Sequence, residues 1–262
     1  MKLKIVSMLL LVLICFSMVA CGENDDNTDA PKESEAVEEK NIYNNFTYDV
    51  NGEGNYDITG YVYTGADLLD IEIPAEINGR PVTGIGKEAF KACTTIKSVV
   101  IPESGTYISK YAFCDCDSLT AISIPKSVTV IGMGAFQNCS ALESVTLTDS
   151  IVTIEDFAFL NCEKLAEIEL FENLVTIGSS AFEGCKALTE ITIPTTVTKL
   201  GDCAFYKCSA LADVTALGTK LTNIGKIAFH QCASSLTLVV TEESAMALYA
   251  EANEYNFEYP AE

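Results

Sequence analysis

Short bursts of alternating apolar and polar residues recur along most of the chain at one fixed distance. Six of them read TIKSVVIP (95–102), LTAISIP (119–125), LESVTLT (142–148), LAEIELF (165–171), LTEITIP (188–194) and LADVTAL (211–217). Apolar residues share the first, fourth and usually sixth places of these bursts, and the register slips only near the end. Alternation with period two predicts one short, half-buried strand per burst. Ile122 and Ile124, Val145 and Leu147, Ile168 and Leu170, and Ile191 and Ile193 then point inward. Pro102, Pro125 and Pro194 end their strands where no further ladder donor is wanted.

Between bursts runs a second pattern, IGMGAFQNC at 131–139. It returns as IGKEAFKAC (85–93), ISKYAFCDC (108–116), IEDFAFLNC (154–162), IGSSAFEGC (177–185), LGDCAFYKC (200–208) and IGKIAFHQC (224–232). Phe90, Phe113, Phe136, Phe159, Phe182, Phe205 and Phe229 are 23 residues apart, with a final step of 24. A fixed period in the twenties predicts a solenoid, since each unit can bury its apolar face only against its neighbours. The expected class is an α/β solenoid of about seven 23-residue coils. Each coil holds one strand, a turn through SVTVIG or its equivalent, and a short helical or 3-10 turn carrying Ala-Phe-x-x-Cys. The parallel sheet lies on one face and the helical turns on the other, with equivalent strands stacked ~4.8 Å apart.

In this arrangement the Phe fills each coil, and burying one ring contributes about 1.5–3 kcal/mol against the entropy of ordering the coil. The neighbouring Ala is small because adjacent coils approach closely there. The Gly earlier in the frame suggests relaxed steric limits, although Ser109 and Glu155 occupy the same place. Cys93, Cys116, Cys139, Cys162, Cys185, Cys208 and Cys232 close the seven copies. Equivalent residues of parallel coils project their Cβ bonds alike, which argues against disulfides and for buried free thiols bonded to turn carbonyls. A zinc site is disfavoured, since no Cys-x₂-Cys pair occurs and His230 stands alone. Cys114 and Cys203 lie off this column.

Composition changes the picture in two places. A formal charge of −21 and a pI near 4.3 argue against nucleic acid and against an anionic membrane surface. The amino terminus is different in kind: Lys2 and Lys4 precede an apolar run from Ile5 to Phe16, then Met18-Val19-Ala20-Cys21-Gly22. Small residues before a Cys at the end of a short apolar run resemble the lipobox of bacterial lipoproteins, with Met18 where Leu is usual. That resemblance implies cleavage after a signal peptide at 1–20 and lipid attachment at Cys21. An ordinary secretory signal or a membrane span is the alternative, but Ile5 to Ala20 falls short of the ~20 residues a span needs. Residues 21–44 are rich in Glu, Asp and Asn and poor in large apolar residues, as expected of a solvated tether. Its ENDDNTD run lacks the Gly and closing Glu of an EF-hand loop. The repeat domain is then expected over 45–240, with a capping helix and tail over 241–262.

The frame I-G-x-x-A-F-x-x-C together with L-x-x-I-x-I-P resembles the BspA-type leucine-rich repeats of bacterial surface proteins. The likeness covers about residues 46–262. It includes an opening segment, NYDITGYVYTGADLLDIEIPAEINGRPVTGIG, and a closing one, VVTEESAMALYAEANEYNFEY, that ends in a short amphipathic helix over the last coil. The resemblance implies a leucine-rich-repeat horseshoe and a role in cell-surface adhesion or protein binding, with ligands that differ widely.

Catalysis is not expected: one His excludes most His-based relays, and there is no Gly-x-Ser-x-Gly elbow, phosphate loop or metal-spaced ligand set. No cofactor and no metal are expected. Binding would use the outward strand positions. One column runs Ser98, Ala121, Ser144, Glu167, Glu190 and Asp213; a second runs Val100, Ser123, Thr146, Glu169, Thr192 and Thr215. Glu143, Glu167, Glu169, Glu190 and Asp213 therefore form a candidate acidic strip for a basic protein segment or a divalent ion. Like charges across neighbouring strands repel, so solvated carboxylates adjoining by chance are the alternative. The expected protein is a monomer at the bacterial cell surface, lipid-anchored and extracytoplasmic, touching the membrane only through its anchor. Its partner would be a surface, host or matrix protein. A surface spacer or coat protein without a specific ligand is the alternative.

Overall fold

The structure is a computed structural model that describes residues 41–260. The signal peptide, Cys21 and nearly all of the expected tether lie outside the described residues. Asn41–Tyr43, at the tether's expected end, is instead a strand paired antiparallel with Phe46–Tyr48.

The bursts fold into strands Ile96–Val100, Ala121–Ser123, Ser144–Thr146, Glu190–Thr192 and Asp213–Ala216. They align in parallel so that equivalent residues meet: Val99 beside Ile122, and Ile122 beside Val145. Of the inward residues, Ile122, Ile124, Val145, Leu147, Ile168, Ile191 and Ile193 are buried, while Leu170 is half-buried. The opening segment adds Leu69–Glu72 before this series, and Thr237–Val240 and Asn256–Glu258 follow it. With the single bridge at Glu167, the strand face has nine rungs, so the solenoid has about nine turns and not the seven that the frame counts.

Two expectations about the rest of each coil are corrected. The SVTVIG stretches are not plain turns. They form a second parallel ladder of two-residue strands: Tyr107–Ile108, Val130–Ile131, Thr153–Ile154, Thr176–Ile177, Lys199–Leu200 and Asn223–Ile224. These continue the opening hairpin strands into one 11-stranded sheet. Backbone groups enclosed between coils must be paired, and the next coil supplies the partner.

The Ala-Phe-x-x-Cys turns are not helical either. The fourth and eighth residues of every frame copy have positive φ, for example Phe157 (62°) and Asn161 (58°), which no helix accommodates. In most copies the fifth, seventh and ninth amides of the frame close turns within the coil, as in Ala158 N to Glu155 O (3.3 Å) and Cys162 N to Phe159 O (3.2 Å), and the second donates back to the preceding coil, as Gly132 N to Ile108 O (3.1 Å). The fourth, sixth and eighth reach forward: Gly134 N donates to Asp156 O, Phe136 N to Ala158 O and Asn138 N to Leu160 O at 2.7–2.9 Å. A helix would direct all its N–H groups along its own axis and leave neighbouring coils untied. Among the described residues the one α-helix is Ala245–Ala252, capped by the Ser244 hydroxyl accepting from Ala247 N.

The core is a stack. The seven frame Phe rings are fully buried, with centroids 4.9–5.4 Å apart and planes within 8° of parallel. Phe46 and Tyr61 close it at one end against Phe90, and Tyr249 closes it edge-on against Phe229 at the other. The Tyr249 hydroxyl also accepts from Ala228 N, a donor whose equivalents in earlier coils, such as Ala158 N, close a turn onto their own coil. The frame Gly marks close approach and not unusual backbone torsion: a Cβ on Gly178 or Gly201 would lie 2.5 or 2.3 Å from the amide nitrogens of Asp156 or Ser179 in the preceding coil.

The cysteine column is made of free thiols. From Cys116 onward each Sγ donates to the carbonyl of the preceding coil's frame Phe, as Cys139 to Phe113 O (3.1 Å) and Cys162 to Phe136 O (3.2 Å). Except at Phe113, that carbonyl already accepts from its own coil's Cys amide, so the thiol uses its second lone pair. Cys93 and Cys232, at the ends, are only half-buried because each lacks a neighbouring frame copy on one side.

Candidate functional site on the strand face

The strand ladder brings the outward residues into the columns that the repeat predicts. Asp70 pairs with Ser98, Ser98 with Ala121, Ala121 with Ser144, and Glu190 with Asp213. In the second column Val100 pairs with Ser123, Ser123 with Thr146, and Thr192 with Thr215. Glu143, Glu167, Glu169, Glu190 and Asp213 are all exposed. Glu143 has a loose ion pair with Lys164 at 3.9 Å; among the described residues the other four have none.

The ladder is interrupted inside this strip. Ser144 bridges to Glu167, but among the described residues Glu167 has no pair with Glu190, and the strand face splits into two four-stranded sheets. A cleft of about 620 Å³ opens at the interruption, lined by Ser144, Thr146, Glu167, Glu169, Glu190 and Thr192, with Leu147 and Leu170 in its floor. Glu167, Glu169 and Glu190 thus share one concavity, Asp213 stands one rung beyond, and Glu143 lies before Ser144. The cleft is what sequence reasoning missed. Its signal is the LAEIELF unit, which among the six bursts from 95 to 217 alone carries an acid at both outward positions of the strand; Asp70 and Glu72 of the opening segment do so as well, but they face Ser98 and Val100.

Other carboxylates near the coils are committed to structure. Glu155 accepts from Met133 N, Asp156 from Ser179 N and Asp202 from Lys226 N, each at 2.7 Å. Glu172 accepts from the Thr195 hydroxyl (2.6 Å) and amide, and these bonds hold its carboxyl below the ordinary glutamate range. Glu167, Glu169, Glu190 and Asp213 have no such partners among the described residues, as is also true of Glu183 and Asp149, but only the strip gathers three such acids around one cleft. Among the described residues no group of three or more His, Cys, Asp or Glu is placed to hold a metal ion.

Thiol chemistry is suppressed where it is most abundant. Burial raises the Cys162 and Cys208 thiols well above 9.0, with the neighbouring thiols adding to the shift. Even half-buried Cys93 and Cys232 are pushed up to about 12 by desolvation. These groups are un-ionised packing residues at neutral pH.

Parallel coils of one length, a strand ladder on one face and an inward ring stack define a leucine-rich-repeat solenoid. The BspA type leucine rich repeat region matches residues 56–154 and 129–258, and the chain belongs to that family. A leucine rich cell surface protein from Faecalibacterium prausnitzii is similar in structure, at 28% identity and a TM-score of 0.70 over 82% of this chain and 56% of its own. A leucine-rich repeat protein from Eubacterium ventriosum shares the fold at 24% identity and a TM-score of 0.62, over 76% of this chain and 52% of its own. The chain therefore spans about half the length of these two solved structures. None of the curated proteins matches it.

Proposed function

We propose that the protein is a non-enzymatic, cell-surface protein-binding module that engages its partner across the strand face. The Faecalibacterium relative is named a cell surface protein, and the MVACG sequence at 18–22 supplies a means of anchoring at Cys21. Among the described residues no helix is long and apolar enough to cross a membrane. The observation that carries the reading is the gathering of Glu167, Glu169 and Glu190 around one cleft, without the hydrogen bonds that occupy the acids of the turn face. The complementary ligand is a basic protein segment, whose charge relieves the repulsion among these groups.

The test uses soluble protein from residue 41 onward as bait against surface and matrix proteins. The captured partner is then titrated against wild type and the E167Q/E190Q/D213N variant. Affinity should fall at least roughly tenfold in the variant, and in wild type as salt rises from 50 to ~500 mM. A partner indifferent to both changes would place binding elsewhere, and capture of no partner would favour a spacer without a ligand.

A further inference from the structure

The interruption in the strand ladder has a local cause. The coil that carries it is not displaced: Phe159 stacks at 5.3 Å on both Phe136 and Phe182, Thr153 pairs with Thr176 in the second ladder, and Ile168 remains buried. The missing Pro is not the reason either. Thr148 and Leu217 stand at that place in units whose strands, Ser144–Thr146 and Asp213–Ala216, form normally. One acidic pair is tolerated as well, since Glu190 and Asp213 are paired while the next place holds Thr192 beside Thr215. Acid at both outward places is tolerated where the neighbours are neutral, since Asp70 and Glu72 pair with Ser98 and Val100; what sets this coil apart is that its two outward acids, Glu167 and Glu169, lie beside a third, Glu190, on the next strand. Closing the ladder would put Glu167 directly across from Glu190 and bring Glu169 diagonally near it.

The backbone shows what closure would add. In three other coils the sixth residue of a burst donates to the fifth of the next, as Ile73 N to Val100 O (3.0 Å), Ile124 N to Thr146 O (2.9 Å) and Ile193 N to Thr215 O (2.8 Å), whereas among the described residues Ile101 N makes no such bond to Ser123 O. The equivalents here are Leu147 N to Glu169 O and Leu170 N to Thr192 O. Among the described residues neither is made. Two donors and two acceptors therefore stand ready for a ladder that the rest of the coil already has in register.

We propose that Glu167, Glu169 and Glu190 form a charge-gated seam: ionised, they hold the strand ladder open at 167–170, and neutralised, they let it close into one continuous parallel sheet. The other charges facing the seam are few. Glu143, in the preceding coil, has Lys164 at 3.9 Å; Glu163, in the same coil, is paired with Lys186 at 2.7 Å; Glu172 is bonded to Thr195; and Asp213 lies one rung beyond. None of them places a positive charge between Glu167 and Glu190. The inference goes beyond the proposed function and does not depend on it, because it concerns the protein with no partner present.

Amide hydrogen exchange resolved to single residues tests it on the unliganded protein, as protection factors that remove the intrinsic pH dependence of exchange. In the E167Q/E169Q variant at pH 7, Leu147 and Leu170 should become roughly three- to tenfold more protected, as expected for relief of like charges on neighbouring strands. Ile124 and Ile193, already bonded, should stay constant and report that the fold is intact. Unchanged protection at Leu147 and Leu170 in the variant, with Ile124 and Ile193 constant, overturns the proposal. So does a gain in protection spread equally over all four amides.

Discussion

If the ring stack is a chain of nearest-neighbour contacts, its energy should be local, and a double-mutant cycle measures that directly. Phe136→Leu and Phe159→Leu each keep an apolar side chain in the core but remove a ring from a pair at 5.3 Å and 7°. Each single change should cost about 1–3 kcal/mol, within the usual range for altered core packing. Their coupling should be about 0.5–1.5 kcal/mol, the extra worth of one aromatic pair beyond buried area. Phe113 and Phe159 are separated by Phe136 and so stand at about twice the ring spacing. Their cycle should couple by less than ~0.5 kcal/mol, as for sites that do not touch. Urea unfolding followed by far-UV circular dichroism gives the four free energies of each cycle, provided the slope is shared across the set. Equal coupling for the adjacent and the separated pair would refute a nearest-neighbour stack and point to a core that responds as a whole.

Two further outcomes are expected. The column thiols should make the fold sensitive to alkali: their folded pKa lies above the unfolded value of 9.0, so their stabilising share is complete below about pH 9 and is lost as pH rises beyond it. Urea midpoints should be flat from pH 7 to ~8.5 and then fall, with a shallower fall in Cys162→Ala; an unchanged slope would show that the buried thiols do not contribute. Cys21→Ala should abolish metabolic labelling by fatty acid and release the protein from the membrane fraction, and labelling that persists would place the anchor elsewhere.

Much of this protein is decided by local pattern. A 23-residue period requires each unit to repeat the same surroundings, so alternation alone assigns Ile122 and Ile191 to the interior and Glu167 and Glu190 to the outside. The same periodicity puts the Phe rings in one stack and the thiols in one column, because nothing but translation along the solenoid relates one copy to the next. Residue type even holds a partial trace of the backbone: the eighth frame place includes Asp115, Asn138, Asn161 and Gly184, residues that tolerate positive φ.

What local pattern does not carry is where each backbone group finds its partner, since that depends on a coil 23 residues away. The second ladder arises because neighbouring coils need pairing on both sides. The turns abandon helix geometry so that alternate amides can reach forward, as Phe136 N does to Ala158 O. The aromatic closures by Phe46, Tyr61 and Tyr249 come from segments outside the repeat. The interruption at Glu167 is likewise tertiary: its coil has the right inward residues, and only the approach of Glu190 from the next strand turns two outward acids into a break in the sheet. Sequence settled which side chains face in; the tertiary structure settled which ladder bonds form, because strand pairing and the repulsion of Glu167 and Glu190 act between coils.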